Sequence, residues 1–120
     1  MTLRTRSIYD PAEKDDGLRV LVTRYYPRGV KKDRFDSWVK DLSPSVKLLR
    51  AYRDKRKSWE EFGSEFVSEV RANPAAIEAL QHLRAEARNG TVTLLCYERG
   101  DSPCHRTIVA DLIRHPKLVG

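Results

Sequence analysis

The segment 91–113, TVTLLCYERGDSPCHRTIVADLI, restricts the fold more than any other part of the chain. Val92, Leu94 and Leu95 form an apolar run too short for a helix and of the kind found in buried strands. The run stops at Cys96 and gives way to a polar loop containing Gly100. Ser102 and Pro103 then combine an N-cap residue with a proline at the first helical position. Ile108, Val109, Leu112 and Ile113 recur at helical spacing, so the segment reads strand, loop, helix. In α/β folds the crevice between such a strand's carboxyl end and the helix's amino end is the usual place for a ligand.

The rest of the chain supplies partners for that unit. Residues 3–9 and 18–26 (LRVLVTRYY) read as two further strands, separated by a charged, proline- and glycine-containing turn at 10–17. Asp33 is expected to cap a helix carrying Phe35, Trp38, Val39 and Leu42. Ser43 and Pro44 repeat the cap-then-proline signal ahead of a short helix with Val46, Leu49 and Tyr52. Ser58 and Glu61 have capping-box spacing, and Trp59, Phe62, Phe66, Val67 and Val70 form one apolar face. Asn73-Pro74 opens another helix, with Ile77, Leu80 and Leu83, that Asn89-Gly90 ends. His115-Pro116 stops the last one. No repeat, low-complexity tract or long linker divides the 120 residues. The expectation is one α/β domain over 1–120, with a small, partly parallel sheet flanked by helices and a cysteine-containing strand–loop–helix crevice.

Composition narrows the function classes. The chain is 40% hydrophobic and 33% charged, and no apolar run approaches the length of a membrane span. The start, MTLRTRSIYD, lacks the apolar region of a secretory signal, so a cytoplasmic protein without membrane partners is expected. Lysine and arginine number 23 against 17 acidic residues, a net +6 that favours anionic partners. The densest basic clusters are Lys31, Lys32 and Arg34, and Arg53, Lys55, Arg56 and Lys57. Neither is interleaved with aromatics as in a single-strand-binding surface. Nucleic-acid binding by an accessory protein with structural cysteines is therefore the alternative to a small anionic ligand. Composition does not fix an oligomeric state.

Both cysteines fall in the crevice, together with Arg99, His105 and Arg106. Two cysteines are too few for a disulfide scaffold, but they suit a transient catalytic or redox pair. Cys104 is placed at the second position of the last helix, where backbone amides and the helix dipole favour a thiolate, with His105 and Arg106 beside it. Cys96 ends an apolar strand, and burial biases it against ionisation. Against a packing role for both, the basic neighbours make Cys104, Cys96 and His105 the catalytic candidates. Arg106 and Arg99, with Arg24 and Arg28 after the other good strand, are the candidate anion ligands if the two strands are parallel neighbours. The layout is similar to rhodanese and protein-tyrosine phosphatase sites, although this loop is longer than a phosphatase loop and no histidine precedes Cys96. No cofactor is expected. Nor is a metal, since adjacent residues rarely reach one ion and His82 and His115 lie on other segments.

Four blocks, RVLVTRYYPRG, WVKDLSPSVKLLRAY, SWEEFGSEFVSEV and TVTLLCYERGDSPCHR, resemble in order the signature of the DUF488 (YeaO-like) family. The resemblance spans nearly the whole chain. It implies an α/β domain and does not assign an activity. Many members carry an acidic residue where this chain has Thr23, and tryptophan where it has Tyr26. The Cys96 and Cys104-His105-Arg106 pattern resembles one branch of the family.

Acids such as Asp41, Asp54, Glu60 and Glu61 lie among the basic clusters. Nucleic-acid binding is expected to be weak and to fade steeply with added salt, measured by fluorescence anisotropy across a salt series. Tight, sequence-selective binding at physiological salt would favour the accessory-protein alternative.

Overall fold

The computed structural model describes residues 2–98 and 104–119. Four strands, β1 (Thr2–Ser7), β2 (Leu18–Leu21), β3 (Ser37–Trp38) and β4 (Thr91–Cys96), form one sheet in the order β1-β4-β2-β3. Every pairing is parallel, beyond the partly parallel sheet expected from sequence. The last strand in sequence is thus inserted between the first two. It pairs with β1 from Thr2↔Thr91 to Ser7↔Cys96, and with β2 from Leu18↔Val92 to Leu21↔Leu95. Packed side chains cover both faces of the sheet at β4, which is buried from Val92 to Cys96 and so reads as an almost unbroken apolar run.

Of the four helices, α1 (Val46–Arg53), α2 (Trp59–Arg71), α3 (Pro74–Asn89) and α4 (His105–Arg114), α2 and α3 begin at the expected caps. Ser58 Oγ accepts from the Glu61 amide at 3.1 Å, and the Ser58 amide donates to Glu61 Oε1 at 3.0 Å, closing the capping box. Asn73 caps α3 through the Ala75 amide, with Pro74 as the first helical residue. The α1 cap is Ser45, accepting from the Leu48 amide, rather than Ser43. Pro44 therefore stands before the cap. Ser45 is held in turn by Glu69 of α2, whose carboxylate accepts from the Ser45 amide at 2.9 Å and from its hydroxyl.

All four helices deliver buried side chains to one core with Val20, Val22, Val92 and Leu94. Phe66 at its centre is fully buried. The period of two along the strands sends Leu21 and Leu95 to the opposite face, where Ile8 joins them. That face is covered by Tyr9, Val30, Phe35 and Trp38, from segments that are not α-helical.

Two expectations fail in this covering segment. The helix proposed after Asp33 is absent: short 3-10 turns at Lys32–Arg34 and Lys40–Leu42 flank β3 instead. Long-range bonds displace the local helix. Asp36 N donates to the Arg19 carbonyl and Val39 N to the Leu21 carbonyl, each at 2.8 Å, while Asp36 Oδ2 accepts from Arg19 N at 2.8 Å. Trp38 Nε1 donates to the Thr23 carbonyl at 2.7 Å, and Tyr26 packs edge-on against Phe35 and Trp38. The second strand is also shorter than 18–26. Val22 N still donates to the Leu95 carbonyl, but the chain then turns through a bond from Thr23 Oγ1 to the Tyr25 carbonyl.

On the face opposite the helices sits a buried charge. Asp16 is fully enclosed and pairs with Arg19, with Arg6 at 3.5 Å and Arg4 at 3.7 Å. Burial alone would raise its pKa, but the hydrogen bond with the Glu13 backbone, the Arg19 bond and the charges of Arg19 and Arg6 together hold it below the ordinary value. Its carbonyl accepts from Thr93 Oγ1 at 2.7 Å, fastening the turn to β4. Gly17 follows at φ +63°, and a Cβ there would overlap the Thr91 carbonyl, whose carbon would lie at 2.8 Å.

Asp16→Asn leaves Arg19 without its buried counter-charge and is expected to cost roughly 3–5 kcal/mol in urea unfolding at neutral pH. Because the folded pKa lies below the unfolded one, the charge's contribution is present above the ordinary carboxyl range and is lost as pH falls through the folded value. The difference between wild type and variant should therefore shrink in acid; an unchanged gap would show that charge is not its source. Gly17→Ala should lose more than the roughly 1–3 kcal/mol of a left-handed residue alone, since it also collides with β4. An unchanged melting temperature would overturn that reading.

Candidate functional site

Parallel strands place all their carboxyl ends at one edge of the sheet. Ser7, Val22 and Cys96 meet there: Ile8 N donates to the Cys96 carbonyl at 2.8 Å and Val22 N to the Leu95 carbonyl at 3.0 Å. The amino end of α4 arrives at the same edge. The helix begins at His105 with Cys104 as its N-cap, in extended backbone at φ −149° and ψ 146°. Cys104 therefore lies just ahead of the helix rather than at its second position. The expected cap and first-turn residues, Ser102 and Pro103, lie outside the described residues, as does Arg99.

Cys96 and Cys104 are joined as a disulfide, 1% and 3% exposed respectively. His105, placed by sequence on the buried stripe of α4, turns into the sheet as that stripe implies and is 7% exposed. Its Nε2 contacts the Val22 carbonyl. A carbonyl only accepts, so Nε2 carries the hydrogen and Nδ1 is left with its lone pair. Nδ1 stands 3.7 Å from Cys96 Sγ and 3.7 Å from Cys104 Sγ. The Phe66 ring meets the imidazole edge-on, with centroids 5.7 Å apart.

Electrostatics agree with that tautomer. Burial pushes the His105 pKa down to about 4, opposed by the Val22 carbonyl and reinforced by the charge of Arg106. The imidazole is neutral at physiological pH. It does not supply the positive charge beside Cys104 that the sequence suggested, and Arg106 is the charged one of the two. Arg106 is 4% exposed and donates through Nη1 to the Glu98 carbonyl at 2.5 Å. Burial lowers its pKa, against the opposing charges of Glu98 and Asp10, yet a guanidinium stays protonated.

The structure divides the other candidates. β2 and β4 are parallel neighbours, so the condition for Arg24 and Arg28 to share the crevice's edge is met. Arg24 nevertheless turns toward the start of α1, donating to the Pro44 and Ser43 carbonyls at 3.2 Å each. There it lines a cleft of ≈ 350 Å³ with Ser43, Ser45, Phe66 and Glu69. Arg28 is exposed, and its carbonyl accepts from Tyr9 Oη at 3.1 Å. Tyr25 and Tyr26, between these two arginines, are 56% and 39% exposed. One site residue escaped the sequence reading. Glu98 has Oε2 3.0 Å from Cys96 Sγ as well as its carbonyl on Arg106. Its position two residues beyond the strand end was the available signal.

Comparison with known proteins gives concordant results. A family model described as DUF488-N3a, the active DUF488-N3 subclade, matches residues 3–117. The chain is similar to uncharacterized protein YeaO of Escherichia coli K12, 30% identical over 116 residues covering 95% of this chain and 98% of the relative. It is also similar to uncharacterized protein Rv3073c of Mycobacterium tuberculosis H37Rv, 32% identical over 113 residues and 92% of each chain. No solved structure matches. A family match over residues 3–117, with relatives at 30% and 32% identity over nearly the whole chain, establishes that the chain belongs to the DUF488 family.

Proposed function

We propose that the sheet edge is a thiol–disulfide centre acting on a small anionic thiol or its disulfide. The observation that supports this reading is the convergence of two sulfurs on one unprotonated imidazole nitrogen, each 3.7 Å away. Surface or packing cysteines have no need of such a base. In the reducing direction, the Cys104 thiolate attacks a substrate disulfide RSSR, giving a mixed disulfide and releasing RS⁻. The Cys96 thiol then passes its proton to Nδ1 of His105 and attacks Cys104 Sγ. The bridge forms and the second RS⁻ leaves, taking that proton to become RSH. The reverse sequence consumes two thiols and opens the bridge. Arg106 and the amide-rich start of α4 make the surroundings of Cys104 favourable to an anion, both its own thiolate and an acidic substrate.

Equilibration in glutathione redox buffers, read by thiol alkylation and mass, tests the reading. The bridge is expected to open and close reversibly in the folded protein, with a midpoint between about −270 and −120 mV, where catalytic bridges lie. A midpoint below about −300 mV would mark the bridge as structural and sink the proposal. His105→Gln should slow exchange by about 100-fold, as for loss of a general base, with a smaller effect on the midpoint. Added inorganic sulfate should compete with an anionic thiol but not with a neutral one of similar size. Equal inhibition of both would remove the anionic preference.

A further inference from the structure

We infer that in its dithiol state the same edge is a zinc site, with Cys96 Sγ, Cys104 Sγ and His105 Nδ1 as ligands. The inference rests on the proposed reading in one respect, that the bridge can be opened in the folded protein. The ligand atoms of these three buried residues all lie within 4.8 Å of one another. Zinc–sulfur and zinc–nitrogen bonds of about 2.3 and 2.0 Å, at angles between tetrahedral and trigonal, require sulfur–nitrogen separations of about 3.5–3.7 Å. The two observed separations are 3.7 Å. Only the sulfurs must move, from bonded contact to non-bonded neighbours around the ion.

A second observation points the same way. The imidazole is oriented by the Val22 carbonyl, which takes the Nε2 hydrogen and presents the Nδ1 lone pair to the sulfurs. That is the outer-shell arrangement typical of metal-bound histidine, in which the far ring nitrogen donates to a carbonyl or carboxylate. The sequence argument that neighbouring residues rarely reach one ion fails here for a definable reason. Cys104 is the extended cap and His105 the first helical residue, and across that change of backbone Cys104 Sγ and His105 Nδ1 lie 3.7 Å apart. Three protein ligands leave a fourth position that a water would fill. Two cysteines and one histidine with an open fourth position form a ligand set known for reactive zinc. Loading is 2 Cys–SH + Zn²⁺ → Cys₂Zn + 2 H⁺. A disulfide oxidant that takes two electrons from the thiolates re-forms the bridge and expels the ion.

The test uses the full chain, reduced with a phosphine and checked for two free thiols and an unchanged circular dichroism spectrum. Cobalt(II) is then titrated as the spectroscopic probe, and zinc is added to displace it. One equivalent with thiolate-to-cobalt charge-transfer bands is expected from the reduced protein and none from the bridged form. Cys96→Ser and Cys104→Ser should lose the bands, and His105→Gln should weaken binding at least about tenfold. Two free thiols in a folded chain without cobalt binding would overturn the zinc inference and leave the exchange reading standing. Thiols obtainable only by unfolding would overturn both.

Discussion

The insertion of β4 between β1 and β2 is the constraint on which the molecule depends. Neither of the older strands bonds to the other; each is completed only when residues 91–96 enter between them. The pairing that closes the sheet joins Thr2 to Thr91, across most of the chain. Such closure defers reward until a long loop has been ordered, so the intervening helices must carry local stability of their own. They do so through caps: Ser45 on α1, the Ser58–Glu61 box on α2 and Asn73-Pro74 on α3. The turn before β2 is fitted to β4 as closely, through Gly17 against the Thr91 backbone and Thr93 on the Asp16 carbonyl.

The same insertion makes the site. Because β4 is central and parallel to both neighbours, its carboxyl end delivers Cys96 between Ser7 and the Val22 carbonyl, and α4 begins over that point. Val22 sits where β2 leaves the ladder, so its carbonyl is spent on His105 rather than on another strand. Removing the strand's last pairing position and fixing an imidazole tautomer are one event. Burial then does the remaining work: it keeps the imidazole neutral, and it leaves Arg106, held on the Glu98 carbonyl, as the charged one of the two basic neighbours.

What could be read from the residues follows from the range of the interactions involved. The capping box, Asn73-Pro74, the β4 run and the stripe that buries His105 are local patterns, and each appears where it was expected. The failures cluster where distant partners decide. Asp33 to Leu42 carries helical spacing, but Arg19, Leu21 and Thr23 bind its backbone and its tryptophan from another part of the chain. Arg24 ends a strand at the right edge and is then drawn off by two carbonyls before α1. The meeting of Cys96 with Cys104 needed the path of a loop that periodicity does not encode. Its partner His105 was nameable, but its charge state was not, because that depends on what encloses it.

The two ends of the Cys96–Cys104 link are close in sequence, eight residues apart. A cross-link that closes so short a loop restricts the unfolded chain only modestly, by about 2–3 kcal/mol on the chain-entropy view. The main core is built from four helices and one face of the sheet, with Phe66, Leu94, Leu112 and Ile113 almost wholly buried. Opening the link therefore removes a small share of the restraint on the fold. The His105 contact with Val22 and the Arg106 bond to Glu98 still hold α4 against the ends of β2 and β4. A bridge whose main consequence was stability would be better placed across a longer loop. Here the cross-link spans little chain and lies beside a buried imidazole, and it is on that geometry that the proposed exchange rests.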